Sequence, residues 1–247
     1  MPATHAARPG KEKAYAILQR NSETVAVGGT SLNWALLIAS RDDRQQLSIE
    51  ELKALMEALG GPRGMVLSRE NAANGVLANA ALGGAELQEL VPLRLYRHEL
   101  CPEQKLEVDP EIRLARPEDS IFVAECIQRF ADATGMPSPT DASCAAEEAI
   151  ERGGIRILEV NNEPMAIGQI GITPAAGQIR IGLIYVPEDH RRQGFARRIT
   201  LSMTAEVHKL HAVPCLFTDA ENDGTDALYR SIGYQPTEEL VHLEPKK

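Results

Sequence analysis

Two periods run through this chain. Short apolar runs of the kind that form strands occur at Tyr15–Leu18, Thr24–Val27, Trp34–Ile38, Met65–Leu67 and Leu93–Tyr96. They return at Glu111–Ala115, Ile155–Val160, Met165–Ile172, Ile179–Val186, Cys215–Asp219 and Glu239–Leu243. Between them, apolar residues recur three and four apart, the spacing of one helix face. Ser48–Leu59 is such a helix. Ser48 and Glu51 form a capping box, Leu52, Leu55, Met56 and Leu59 make the apolar face, and Gly60-Gly61-Pro62 stops it. Further helices are expected over Asn71–Leu82, from Pro117 through Phe130, from a cap at Asp141 through Glu151, over Ala196–Leu210 and over Thr225–Ile232. Strands interleaved with helices predict an α+β fold, a mixed sheet flanked by helices.

The pattern also breaks into parts. Residues 1–13 are small, polar and proline-containing, and read as a flexible tail. Residues 101–110 are polar and aperiodic, and read as a linker between a domain at 14–100 and a domain at 111–247. The two domains resemble each other. YAILQRNSETVAVGG from Tyr15 and IRILEVNNEPMAIGQ from Ile155 share Ile17/Ile157, Leu18/Leu158, Asn21/Asn161, Glu23/Glu163, Ala26/Ala166 and Gly28/Gly168 at an offset of 140. Val66–Asn71 parallels Phe217–Asn222 at an offset of 151. The first domain reads as a diverged copy of the second.

Composition narrows the functions. With 247 residues the chain is long enough for two cores, and with 4% aromatics those cores must be mostly aliphatic. A net charge of −9 disfavours general binding of nucleic acid or an anionic membrane and suits cationic substrates. No apolar run reaches the ~18 residues of a membrane span, and the start lacks the apolar core of a signal peptide, so a cytoplasmic protein is expected. Cys101, Cys126, Cys144 and Cys215 have no metal spacing, and Cys126 and Cys144 fall on helical patterns as buried free thiols. His98, His208, His211 and His242 have no partner spacing either, and no metal is expected.

The chemistry concentrates at Ile179–Ala205. A strand ends at Ile184, Tyr185 and Val186, Pro187 closes it, and the loop Arg191-Arg192-Gln193-Gly194-Phe195-Ala196 leads through Arg197 into a helix. A helix start leaves backbone N–H groups unpaired, and its dipole favours an anion there. Gly194 lets a ligand approach the backbone, and the arginines add charge-assisted contacts. The stretch reads as a diphosphate cradle. Further on, Asn222, Tyr229, Gly233 and Tyr234 stand in the spacing N-x6-Y-x3-G-Y.

These two segments resemble motifs A and B of the GNAT acetyltransferase superfamily, R-x-x-G-x-A over Arg191–Ala196 and N-x6-Y-x3-G-F/Y over Asn222–Tyr234. The resemblance is closer to a bacterial group with a degenerate N-terminal half. It covers Ile112–Leu243 well and the first ~100 residues only by arrangement. Asp189, His190 and Arg192 depart from that group's pattern. The resemblance implies an acyl-CoA N-acyltransferase fold with a second, diverged GNAT-like half at the N-terminus. It implies acetyl-CoA as co-substrate, in a V between the strands ending at Val186 and Asp219, one of them often bulged. Ile184, Tyr185, Val186, Arg191, Arg192, Gln193, Gly194, Phe195, Ala196, Arg197 and Asn222 would bind it. Tyr229 would be the general acid, and Asp219, Glu221, Glu188, His190 or a water chain the base. A small-molecule amine is the expected acceptor, with a protein N-terminus second and a non-catalytic acyl-CoA sensor as the rival. No nucleic-acid motif or P-loop stands against this reading. The oligomeric state is open, a homodimer among the arrangements allowed.

Overall fold

The computed structural model describes residues 3–7, 13–31, 35–40, 46–100, 105–135, 139–171 and 177–246. Trp34, Cys101 and Ile172 lie outside them. In chain order the strands are β1 (Ala3–Ala7), β2 (Lys13–Arg20), β3 (Glu23–Ser31), β4 (Leu36–Ser40), β5 (Met65–Ser68), β6 (Leu87–His98), β7 (Ile112–Leu114), β8 (Ile155–Val160), β9 (Glu163–Ile170), β10 (Gln178–Tyr185), β11 (Val213–Asp219) and β12 (Tyr234–Pro245). The helices are α1 (Ile49–Ala58), α2 (Arg69–Ala81), α3 (Ser120–Thr134), α4 (Ala142–Glu151), α5 (Phe195–Lys209) and α6 (Asp223–Ser231). The mixed α+β fold predicted from the two periods is what forms.

The chain divides into two compact units, Met1–Arg94 with Glu238–Lys247, and Leu95–Thr237. This differs from the expected 14–100 and 111–247. The divisions fall inside β6 and β12, so the last strand of the chain helps to build the first unit. Such an exchange is tertiary and leaves no mark on local pattern. The expected tail is also different: Ala3–Ala7 pairs antiparallel with β2, from Ala3↔Gln19 to Ala7↔Tyr15. Backbone hydrogen bonds suffice for an edge strand of alanines, a threonine and a histidine, which carries no strong hydrophobic signal.

Within the first unit the strands run β1-β2-β3-β4-β5-β12. β4 and β5 are parallel, Leu36↔Met65 and Leu37↔Val66. β12 lies antiparallel beside β5, Leu240↔Ser68 through Leu243↔Met65. α1 forms as the capping box predicts: Ser48 Oγ accepts from the Glu51 N–H at 3.2 Å, and Glu51 Oε2 accepts from the Ser48 N–H at 2.9 Å. Its Leu52, Leu55 and Met56 close a core with Leu18, Leu36, Ile38, Met65 and Leu67. Each such fully buried side chain contributes roughly 1.5–3 kcal/mol.

Within the second unit the order is β12-β6-β11-β10-β9-β8-β7. Both faces of β8–β10 are covered. On one, α5 lays Ile199, Met203 and Val207 on Leu158, Ala166, Ile170, Ile179 and Ile181. On the other, α3 and α4 lay Val123, Cys126, Ala146 and Ile150 on Ile155, Ile157, Ile167 and Tyr185. Cys126 is buried as expected, but Cys144 is exposed, because the α4 face carrying Ala146 and Ile150 turns it outward. Leu210, expected on the α5 stripe, lies past the helix end and is 64% exposed. The end of the expected linker is docked: the Asp109 N–H donates to Ser202 Oγ at 3.1 Å, and Arg198 donates to Asp109 Oδ2 at 2.8 Å.

Candidate active site

β10 is where the second unit departs from regular pairing. Ile181↔Ile170 and Gly182↔Gln169 are in register with β9, and Tyr185↔Ile167 comes one residue late. The extra residue makes a β-bulge, and Leu183 takes a left-handed φ of 47°. A leucine held there stores on the order of 1–2 kcal/mol. On its other side, β10 pairs in parallel with β11 only from Gln178↔Val213 to Arg180↔Cys215. Beyond that the paired register with β11 ends, short of Ile184 and Tyr185. Splay and bulge together are the V that the motif resemblance implies.

The loop after β10 delivers a helix start to the end of this V. A single 3₁₀ turn over Glu188–His190 follows Pro187, with the Arg191 N–H donating to the Glu188 carbonyl at 3.2 Å. Arg192 has φ 62° and Gly194 φ 82°. Left-handed geometry is natural for glycine and unusual for arginine, so the loop at Arg192 is tighter than a glycine loop. Gly194 is the N-cap of α5 and offers no side chain to its N–H groups. The first helical bond closes from the Arg198 N–H to the Gly194 carbonyl at 3.0 Å, leaving the preceding N–H groups of the first turn open to an anion. A Cβ on Gly194 would meet no neighbouring atom within 4 Å, so the loop is open on that side.

Arg191, Arg192, Gln193, Gly194 and Arg197 are all exposed, while Phe195 and Ala196 are half-buried. Arg191 is folded back on the strand: its Nε donates to the Val186 carbonyl at 3.2 Å and its guanidinium lies 5.8 Å from the Tyr185 ring centre. Phe195, Ile184 and Val186 pack against one buried cluster that includes Ile181, Ile199 and Met203. Ile184 also packs against the cluster of Tyr96, Leu216, Tyr229, Ile232 and Tyr234. The bulge, the helix start and Tyr229 are thereby in one packed neighbourhood.

Tyr229 sits on α6 and is 7% exposed. Burial pushes its phenol up to about 12, so it stays protonated at neutral pH and has a proton to donate. Gly233 has φ 101° and ends the helix as a left-handed cap. Tyr234 is fully buried with its hydroxyl 2.7 Å from Thr204 Oγ1. Asn222 stands at the start of α6. Its side-chain oxygen accepts from the Thr225 N–H at 3.1 Å and caps α6. Among the base candidates, Asp219 Oδ1 accepts from the Glu221 N–H at 2.9 Å and Glu188 lies 3.5 Å from Arg191, while Glu221 and Glu188 are exposed and Asp219 and His190 half-buried.

Two features escaped the sequence. Tyr96 packs on Tyr229 from a strand some 130 residues away in sequence, and nothing local signals it. His98 and His208 are not lone residues: Nδ1 of one and Nε2 of the other are 2.9 Å apart, and burial lowers the pKa of both. Among the described residues no group of His, Cys, Asp and Glu could hold a metal, and no helix is long and apolar enough to cross a membrane.

Residues 169–243 match the FR47-like protein family. No curated protein matches the chain. Among solved structures, it is similar to an acetyltransferase of the GNAT family from Novosphingobium aromaticivorans, at 17% identity over 85% of this chain and 84% of that one with a TM-score of 0.55. A Drosophila protein aligns at 15% identity over 95% and 80%, TM-score 0.64. A tandem GNAT protein from the clavulanic acid biosynthesis pathway aligns at 12% identity over 98% and 86%, TM-score 0.51. At these identities the likeness is one of fold, and it extends over both units.

Proposed function

We propose that this chain, whose fold is like that of GNAT acetyltransferases and whose residues 169–243 match the FR47-like family, is an acetyl-CoA-dependent N-acetyltransferase acting on a primary amine of a small molecule. The observation that carries this reading is the conjunction at the end of β10. A bulge, a neighbour strand that pairs only over its first residues, an uncapped glycine-started helix and a buried tyrosine meet there. The residues fit the co-substrate. The open first turn of α5 would hold the diphosphate, aided by Arg192, Gln193 and Arg197, with Arg191 turning from the strand end to join them. The free edge at Ile184–Val186 would pair with the pantetheine arm.

Acetyl-CoA supplies an activated acyl group. An N–H on the bulged edge would stabilise the oxyanion formed when the amine attacks, and one fixed donor of this kind contributes roughly 3 kcal/mol. The C–S bond then breaks, and the sulfur leaves with a proton from Tyr229. The amine nitrogen gives up its own proton to Asp219, Glu221, Glu188, His190 or a water chain. A net charge of −9 is compatible with a cationic acceptor.

The acyl-CoA sensor draws on one observation, the burial of Tyr229, since a hydroxyl this enclosed also suits a purely structural residue. Thiol release from acetyl-CoA with a panel of primary amines separates the two. Turnover with at least one amine is expected, and Tyr229→Phe should lower kcat by about a hundredfold or more with acetyl-CoA affinity unchanged by calorimetry. Tight acetyl-CoA binding with no thiol release for any amine would favour the sensor. Unchanged kcat in Tyr229→Phe would remove the tyrosine from the chemistry.

A further inference from the structure

Tyr96 lies on β6, in the stretch Leu95–His98 that belongs to the second unit. It is fully buried. Its ring centre is 6.0 Å from that of Tyr229, with the planes tilted by 52°. Its hydroxyl donates to Asp226 Oδ1. Asp226 is three residues before Tyr229 and shares its side of α6. The other oxygen of Asp226 accepts from Arg230 Nε at 2.6 Å, and the Arg230 guanidinium stands 6.0 Å from the Tyr96 ring centre. A further ring, Tyr234, lies 6.1 Å from Tyr229 and is itself anchored on Thr204.

A core position beside Tyr229 needs only an apolar ring. A tyrosine there brings a hydroxyl that would cost free energy if left unpaired, and this hydroxyl is spent on the one carboxylate a turn away from Tyr229. The tie fixes how far α6 is rotated about its own axis. That rotation decides where the Tyr229 hydroxyl points, because a tyrosine has only two side-chain torsions and neighbouring rings restrict both. We propose that Tyr96, acting through Asp226, is a positioning residue that aims Tyr229 at the leaving sulfur. The proposal rests on reading Tyr229 as the acid. It gives the strand that follows the diverged repeat a part in the chemistry of the other.

The test is a double-mutant cycle in the full chain, reading thiol release from acetyl-CoA with the best amine of the panel, or with water if no amine is turned over. Tyr96→Phe keeps the ring and removes the tie. It should lower kcat on the order of tenfold, since small misplacements of a catalytic group have effects of that size, with acetyl-CoA affinity by calorimetry within about twofold. In a Tyr229→Phe background the same change should have no further effect on kcat, because a residue acting through Tyr229 has nothing left to aim. Asp226→Ala removes the acceptor of that tie, should show the same pattern, and serves if Tyr96→Phe folds poorly. An equal loss in both backgrounds, or no loss in either, overturns the proposal and leaves Tyr229 as the acid. An unchanged kcat in Tyr229→Phe alone overturns the acid and the positioning together.

Discussion

The two repeats of this chain fold alike and end differently. In each, a hairpin turns on two left-handed residues, Asn21 and Ser22 in the first, Asn161 and Asn162 in the second, with φ between 54° and 67°. In each, the register slips one residue after the turn, at Leu18/Gln19 and at Leu158/Glu159. In each, a glycine on the hairpin's second strand sits under a helix, Gly28 against Leu55 and Leu59, Gly168 against Ile199 and Met203. The glycines are 140 residues apart, the helix contacts 144. The scaffold is one scaffold used twice.

What differs is what each repeat does with its polar backbone. β4 meets β3 with no register shift from Ala26↔Ser40 to Gly29↔Leu37, where β10 is bulged. The helix of the first repeat is capped by Ser48, and the N–H groups of Ser48 and Glu51 are taken by its own capping box. Glu51 there also receives a forked contact from Arg20 at 2.7 and 2.8 Å. Burial alone would raise the Glu51 carboxyl, but the Ser48 backbone N–H and Arg20 outweigh it and hold it below the usual range. The anion site of this helix is filled by the protein's own carboxylate. The chain entering it is pinned too, the Leu47 N–H to Asn71 Oδ1 at 2.6 Å and the Leu47 carbonyl to Asn74 Nδ2 at 2.8 Å. Asn71 is the counterpart of Asn222, which caps α6 instead. The outer face differs as well: Tyr15 and Val27 are 44% exposed, whereas their counterparts Ile155 and Ile167 lie under α3 and α4. One copy caps its helix start with its own side chains and gains stability; the other starts its helix on a glycine with no side-chain cap, which suits a ligand.

That contrast breaks most sharply at Gly194. Gly194→Trp should abolish acetyl-CoA binding, seen as loss of the calorimetric signal, with the protein still folded but its melting temperature modestly lowered, because a non-glycine residue at φ 82° is strained. Wild-type affinity in this variant would remove the cradle. Glu51→Ala should do the reverse. It should cost about 2 kcal/mol of stability through the lost cap and charge-assisted contacts, measured by denaturant unfolding, and leave acetyl-CoA affinity as it was. Weakened binding in Glu51→Ala would mean that the first repeat is not the closed copy described above.

The hairpins, the capping box, the glycine loop and the N-x6-Y spacing were legible in the sequence because each is set by residues within a few positions of one another. The bulge at Leu183 was not legible in residue type, since leucine gives no sign of a left-handed φ; only the motif resemblance raised it. β6 runs from Leu87, not Leu93, because Gln88, Glu89 and Pro92 break the apolar pattern while the backbone stays extended. The crossing of β6 and β12 between units, the His98–His208 pair and the place of Tyr96 all depend on contacts across more than a hundred residues.

The central claim is one acetyl-CoA site per chain, in the second repeat. Calorimetric titration of the full chain with acetyl-CoA tests it directly. The account predicts a stoichiometry of one per chain. Two per chain would contradict the closure of the first repeat, and none would contradict the site.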